Sequence, residues 1–73
     1  MRRLDELHPG ESATIIHVGG DGTVKHRLID MGLTPDVVVR VIKIAPLGDP
    51  IEINIRGYDL AIRKEDAVHI QIT

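Results

Sequence analysis

From Ser12 onward the chain carries short stretches in which apolar and polar positions alternate, the mark of strands with one buried face. Ile51, Ile53 and Ile55 alternate with Glu52, Asn54 and Arg56. Leu60 and Ile62 follow across an Arg56-Gly57-Tyr58-Asp59 turn, and Val68, Ile70 and Ile72 alternate with His69, Gln71 and Thr73. Ser12 to Val18 is rich in Thr, Ile and Val and stops at Gly19-Gly20-Asp21-Gly22. Val37 to Ile44 is almost wholly β-branched, a stiff run that packs well on a pleated surface. Five strands are predicted.

One helix interrupts them. Val24, Leu28 and Met31 fall at i, i+4 and i+7, a single stripe on a helix, and Ile29 widens it. Asp21, Gly22 or Thr23 can serve as N-cap. Gly32 suits the C′ position, where the left-handed conformation penalises a Cβ, and Leu33 at C″ can pack back on Leu28. Pro35 prevents a restart. Ahead of the strands, Leu4 and Leu7 precede a His8-Pro9-Gly10-Glu11 turn and read as a lead-in that covers one end of the core.

Half-buried strands must close on themselves to hide a face and remove edges. The predicted fold is therefore mainly β: a small, partly open SH3-like barrel of about five strands. One α-helix follows the first strand, and Lys64-Glu65-Asp66-Ala67 forms a short 3₁₀ turn before the last. An OB-like barrel is the competitor, with its helix falling later in the strand order. Residues 1–73 make one domain, of a size that buries only about 60% of its unfolded surface. With no Cys, neither a disulfide nor a thiolate metal site is available. The same absence fits a reducing compartment.

Composition then removes several functions. Nine Lys and Arg against 11 Asp and Glu do not supply the cationic surface that phosphate binding needs, so no nucleic acid is expected as a partner. Tyr58 is the only aromatic, too few for a base-stacking platform or a proline-peptide groove. No apolar run approaches the ~20 residues that span a bilayer, and Met1-Arg2-Arg3-Leu4-Asp5-Glu6 has no apolar segment behind its charge, unlike a secretory signal. A cytoplasmic module without membrane insertion is the expectation.

Candidate chemistry is sparse. Ser12 is the lone serine and lacks a nucleophile-elbow context. Gly19-Gly20-Asp21-Gly22 precedes a helix but has neither the P-loop ending nor the dinucleotide spacing. No catalytic set is found, and no enzyme is predicted. Of the four histidines, none forms a pair at the spacing that converges ligands on one helix face. His17 and His26, joined by Glu11 and Asp21, could gather a weak Fe2+ or Zn2+ ion only if tertiary structure brought them together. No cofactor is required by anything in the sequence.

Several strings, taken in order, give a resemblance. Leu7-x-x-Gly10 and Arg27-Leu28-x-x-Met31-Gly32-Leu33-Thr34-Pro35 come first, and Ala45-Pro46-Leu47-Gly48-Asp49-Pro50 with Ile51 to Tyr58 follows. Together with Leu60-Ala61-Ile62-Arg63 and Ala67-x-x-Ile70-x-Ile72, this order resembles the FeoA family of ferrous-iron transport accessory proteins over Leu4 to Ile72. The resemblance implies an SH3-like barrel and a cytosolic partner of FeoB, the membrane permease for Fe(II) with a GTP-binding domain. A related domain ends iron-dependent repressors, so a stand-alone regulatory domain is one alternative; a direct metal sensor or carrier using His17, His26 and carboxylates such as Glu11 or Asp21 is the other.

The expected contact surface is a pair of loops, Leu33-Thr34-Pro35-Asp36 and Leu47-Gly48-Asp49-Pro50, with the helix face beside them. Family members usually carry Gly where this chain has Asp36. Pro35-Asp36 suits a type I turn, whereas a type II turn, with φ > 0, prefers Gly. A second copy could pair along an edge strand such as Val37 to Ile44.

Overall fold

The computed structural model describes residues 2–73. It has six antiparallel strands: β1 (Arg2–Arg3), β2 (Ser12–Val18), β3 (Val38–Ile44), β4 (Ile51–Ile55), β5 (Tyr58–Ile62) and β6 (Ile70–Ile72). A 3₁₀ turn at Leu4–Glu6 follows β1, helix α1 (Gly22–Asp30) lies between β2 and β3, and α2 (Lys64–Ala67) between β5 and β6. The strand order is β1-β6-β2-β3-β4-β5, an open sheet with β1 and β5 at its edges.

The isoleucine alternation is realised as a buried stripe. Ile51, Ile53 and Ile55 are all buried, and with Ile15, Val39, Val41, Ile62, Ile70 and Ile72 they form most of the core. Leu4 and Leu7 join that core from the lead-in. α1 contributes Leu28 fully, with Val24 and Met31 packed against the cluster, while Ile29 stays on the exposed side. The apolar stripe of α1 is thus narrower than its pattern suggests.

Register shifts bend the sheet at two β-branched positions. Ile16 is the extra residue between Ile15 and His17 against β6, and Ile42 the extra one between Val41 and Lys43 against β4. Such bulges increase local twist and let a small sheet curl. The bulge at Ile16 leaves that side chain half in solvent.

Three boundaries differ from the sequence-based expectation. The sixth strand is β1, whose two arginines pair with Gln71 and Ile72; it is too short to carry a periodic signal. β5 starts at Tyr58, because the hairpin loop is only Arg56-Gly57, both with φ > 0 (50° and 84°) as a type I′ turn requires. The segment before β6 is a turn of α-helix rather than 3₁₀, since Ala67 and Val68 N–H donate to the Arg63 and Lys64 carbonyls four residues back. That bond also consumes Val68, so β6 begins at Ile70.

A candidate partner interface

α1 starts and stops by local chemistry. Asp21 is its N-cap, with Oδ1 accepting from Val24 N–H at 2.9 Å. At the other end Leu33 N–H donates to the Leu28 carbonyl (3.0 Å) and Gly32 N–H to Ile29 (2.9 Å), with Gly32 at φ 96°. These are the two bonds of a Schellman ending. Its C″ residue, Leu33, is 0% exposed. The expectation that Leu33 offers a contact surface is therefore wrong: the Schellman geometry turns its side chain back into the core.

The next turn also departs from expectation. Val37 N–H donates to the Thr34 carbonyl at 3.3 Å, and Asp36, the third residue of that turn, has φ 74°. With φ > 0 there and Pro35 before it, the turn is type II rather than type I. Asp36 thus takes the conformation for which glycine is the unstrained residue. Its N–H donates to the Ile15 carbonyl (2.8 Å), and Thr34 Oγ1 accepts from Arg56 Nη2 (3.2 Å), so the strained turn is held from both sides. An Asp36→Gly variant keeps both bonds and loses the left-handed penalty. It is expected to unfold about 0.5–1 kcal/mol harder, a few degrees in Tm by thermal circular dichroism.

The loop between β3 and β4 is the more prominent surface. Gly48 N–H donates to the Ala45 carbonyl (2.7 Å) and Ala45 N–H to Pro50 (3.1 Å), which closes the loop on itself. Asp49 Oδ1 accepts from the backbone N–H of Lys64 at 2.9 Å, capping α2 from another part of the chain. On this frame Leu47 is 96% exposed. Gly48 and Asp49 hold the loop through these bonds, and Pro50 is itself exposed. This loop and the Thr34–Asp36 turn do not form one surface. They flank opposite ends of β3, separated by its seven residues, about 20 Å of extended chain.

Beside the Leu47 loop the end of β5 is flanked by two shallow depressions of about 320 Å3 each. One lies against Asp49 and Pro50, the other between α1 and α2 at Arg27, Met31 and Glu65, and both share Ala61, Ile62 and Arg63. Arg27 donates to the buried Asp66 and so ties α1 to α2. Periodicity alone did not mark this region, because its parts come from four elements.

The metal candidates are dispersed. Glu11 accepts from the His8 backbone N–H (2.8 Å), contacts the His8 ring (3.0 Å) and accepts from Arg2 (3.1 Å). The bonds from His8 hold its carboxyl below the usual carboxylate range. Asp21 is occupied as the α1 cap, His26 is exposed on α1, and His17 lies beside Gly19 near the end of β2. Among the described residues no three His, Asp or Glu side chains gather where one ion could bind them. The tertiary convergence that His17, His26, Glu11 and Asp21 needed does not occur.

The strand order, the helix after the first long strand and the loop held out at one end define an SH3-like β module. The FeoA domain family matches residues 2–73, and the chain belongs to that family. It is 39% identical over 70 residues to the Fe(2+) transport protein A/Fe(2+) transporter FeoB fusion protein of Porphyromonas gingivalis, a match covering 96% of this chain and 8% of that protein. The chain thus spans a small fraction of that relative. A FeoA-like protein from Clostridium acetobutylicum superposes with TM-score 0.91 at 30% identity, over 97% of this chain and 83% of the other. Stenotrophomonas maltophilia FeoA complexed with zinc, described as a prokaryotic SH3 domain protein, superposes with TM-score 0.85 at 22% identity over 100% and 91% of the two chains. That last likeness concerns the fold. Among the described residues no helix is long and apolar enough to cross a membrane.

Proposed function

We propose that this chain is a non-catalytic accessory module of ferrous-iron transport that docks on the cytoplasmic side of a FeoB-type permease through Leu47. The carrying observation is a leucine at 96% exposure on a loop held by three hydrogen bonds. An apolar side chain presented on a pre-ordered loop binds without the cost of ordering it. The fusion of the two proteins in the Porphyromonas gingivalis relative supports the choice of partner, since fusion keeps two interacting parts at high effective concentration. Thr34, Pro35 and Asp36 lie at the other end of β3 from Leu47.

The test is titration of the detergent-solubilised permease with wild type and Leu47→Asp. The variant is expected to bind about 10- to 100-fold more weakly, the loss of one buried leucine anchor. Equal affinity would remove the Leu47 loop from the interface. Failure of the wild type to bind would remove the permease as direct partner.

A further inference from the structure

β5 is a strand with one free side. The two-residue Arg56-Gly57 loop makes Ile55 and Tyr58 the closing hydrogen-bonded pair of its hairpin. By alternation Tyr58, Leu60 and Ile62 then direct their N–H and C=O groups at β4, while Asp59 and Ala61 direct theirs away from the sheet. No other described backbone group takes them. An edge of this kind is a template for another strand. The depressions on either side of Ala61–Arg63 leave room for one to approach.

The side chains along this edge say which strand fits. Asp59 and Arg63 stand at opposite ends of its exposed face with Ala61 between them. Asn54 Nδ2 donates to Asp59 Oδ1 at 2.7 Å, which fixes that carboxylate and leaves its second oxygen open. A stretch reading acid, small residue, base is complementary to itself when reversed.

We propose that β5 pairs antiparallel with β5 of a second copy, in a two-fold register centred on Ala61. Asp59 then faces Arg63 of the second copy on both sides of the axis, and the small Ala61 side chains meet at the centre. A two-fold interface must be self-complementary in this sense. Centring the pair on Asp59 would oppose two carboxylates, and centring it on Leu60 would leave Asp59 opposite alanine. The Arg63 carbonyl already accepts from Asp66 (2.9 Å) and Ala67 (3.0 Å). The Ala61-centred register therefore forms four backbone bonds, two between the Ala61 residues and two from Arg63 N–H to the Asp59 carbonyl. Such a contact is smaller than a standard stable interface, so the dimer is concentration-dependent. It is carried by the backbone edge of β5 rather than by the Leu47 side chain, and stands whether or not the permease binds.

Sedimentation equilibrium from micromolar to millimolar concentration tests it. A monomer–dimer equilibrium is expected for the wild type. Asp59→Arg and Arg63→Asp, each placing like charges opposite at two symmetric positions, are expected to weaken it about five- to thirty-fold. The combined Asp59→Arg/Arg63→Asp variant restores it, because the exchanged charges face each other again. Ala61→Pro removes an edge N–H that β4 does not use and abolishes association; the charge variants decide the matter if that protein fails to fold. A wild type that stays monomeric throughout, or a charge exchange that does not restore association, overturns the proposal. So does slow amide exchange at Asp59 and Ala61 that appears only when the permease is added, since the edge would then receive a foreign strand.

Discussion

A Leu33→Asp variant is expected to be unfolded at room temperature, whereas Leu47→Asp melts with the wild type. Both leucines sit in short loops after a glycine or proline and look alike in the sequence. Leu33 is 0% and Leu47 96% exposed. Replacing Leu33 forfeits about 1.5–3 kcal/mol of apolar burial. It also forces a carboxyl into the core, where it stays charged only at several kcal/mol or takes up a proton instead. For 73 residues total stability is about 4–11 kcal/mol, so the sum reaches the whole margin. The sign of the pH effect follows. A buried carboxyl has its pKa raised in the folded state, so the variant regains stability as pH falls below that value. Leu33→Ala, free of the charge, is expected to lose about 2–5 kcal/mol by urea unfolding. A Leu33→Asp protein that folds normally at neutral pH would show that Leu33 is not enclosed as the structure has it. The contrast also bears on binding experiments: lost binding after changing Leu33 reports unfolding, and only Leu47 can be varied without touching the core.

That pair shows where the sequence is readable and where it is not. The helix ending was legible because its signals are local: a stripe, a glycine and an apolar residue at C″, all within a few positions. The same motif implied the burial of Leu33, since C″ packs back on the helix. The edge strand was not legible. Val37–Ile44 looked available for pairing, yet β3 lies between β2 and β4, with both sides used. Strand order is set by which faces meet across the chain, and alternation reports only that a face exists. For the same reason the two candidate docking loops appeared as neighbours eleven residues apart and proved to stand at opposite ends of one strand. The turn at Asp36 failed differently. Pro-Asp is compatible with two turn types, and the bonds of Asp36 to Ile15 and of Thr34 to Arg56 select the one with φ > 0.

Gly32 is where the local helix signal and the tertiary fold depend on each other most closely. Tyr58 donates its hydroxyl to the Met31 carbonyl at 2.9 Å, bridging the start of β5 to the end of α1. A Cβ on Gly32 would lie 2.7 Å from that hydroxyl oxygen, closer than atoms approach without displacement, and 3.4 Å from Ile55 Cδ1. Gly32→Ala therefore meets two costs: the left-handed φ of 96°, about 1–2 kcal/mol, and either a compressed contact or a lost Tyr58 bond, about 1–2 kcal/mol more. The expected total of about 2–4 kcal/mol lowers Tm by roughly 10–25 °C in a domain of this size. The two costs separate in a double-mutant cycle. Tyr58→Phe alone loses one hydrogen bond, about 0.5–1.5 kcal/mol. In that background the added methyl meets only Ile55 and the ring carbon at 4.0 Å, both ordinary contacts, so Gly32→Ala then costs little beyond its φ. A coupling of about 1–2 kcal/mol is the expected reading from thermal unfolding of the four proteins. Strict additivity would mean that the Tyr58 ring moves aside freely and that the penalty at Gly32 is conformational alone.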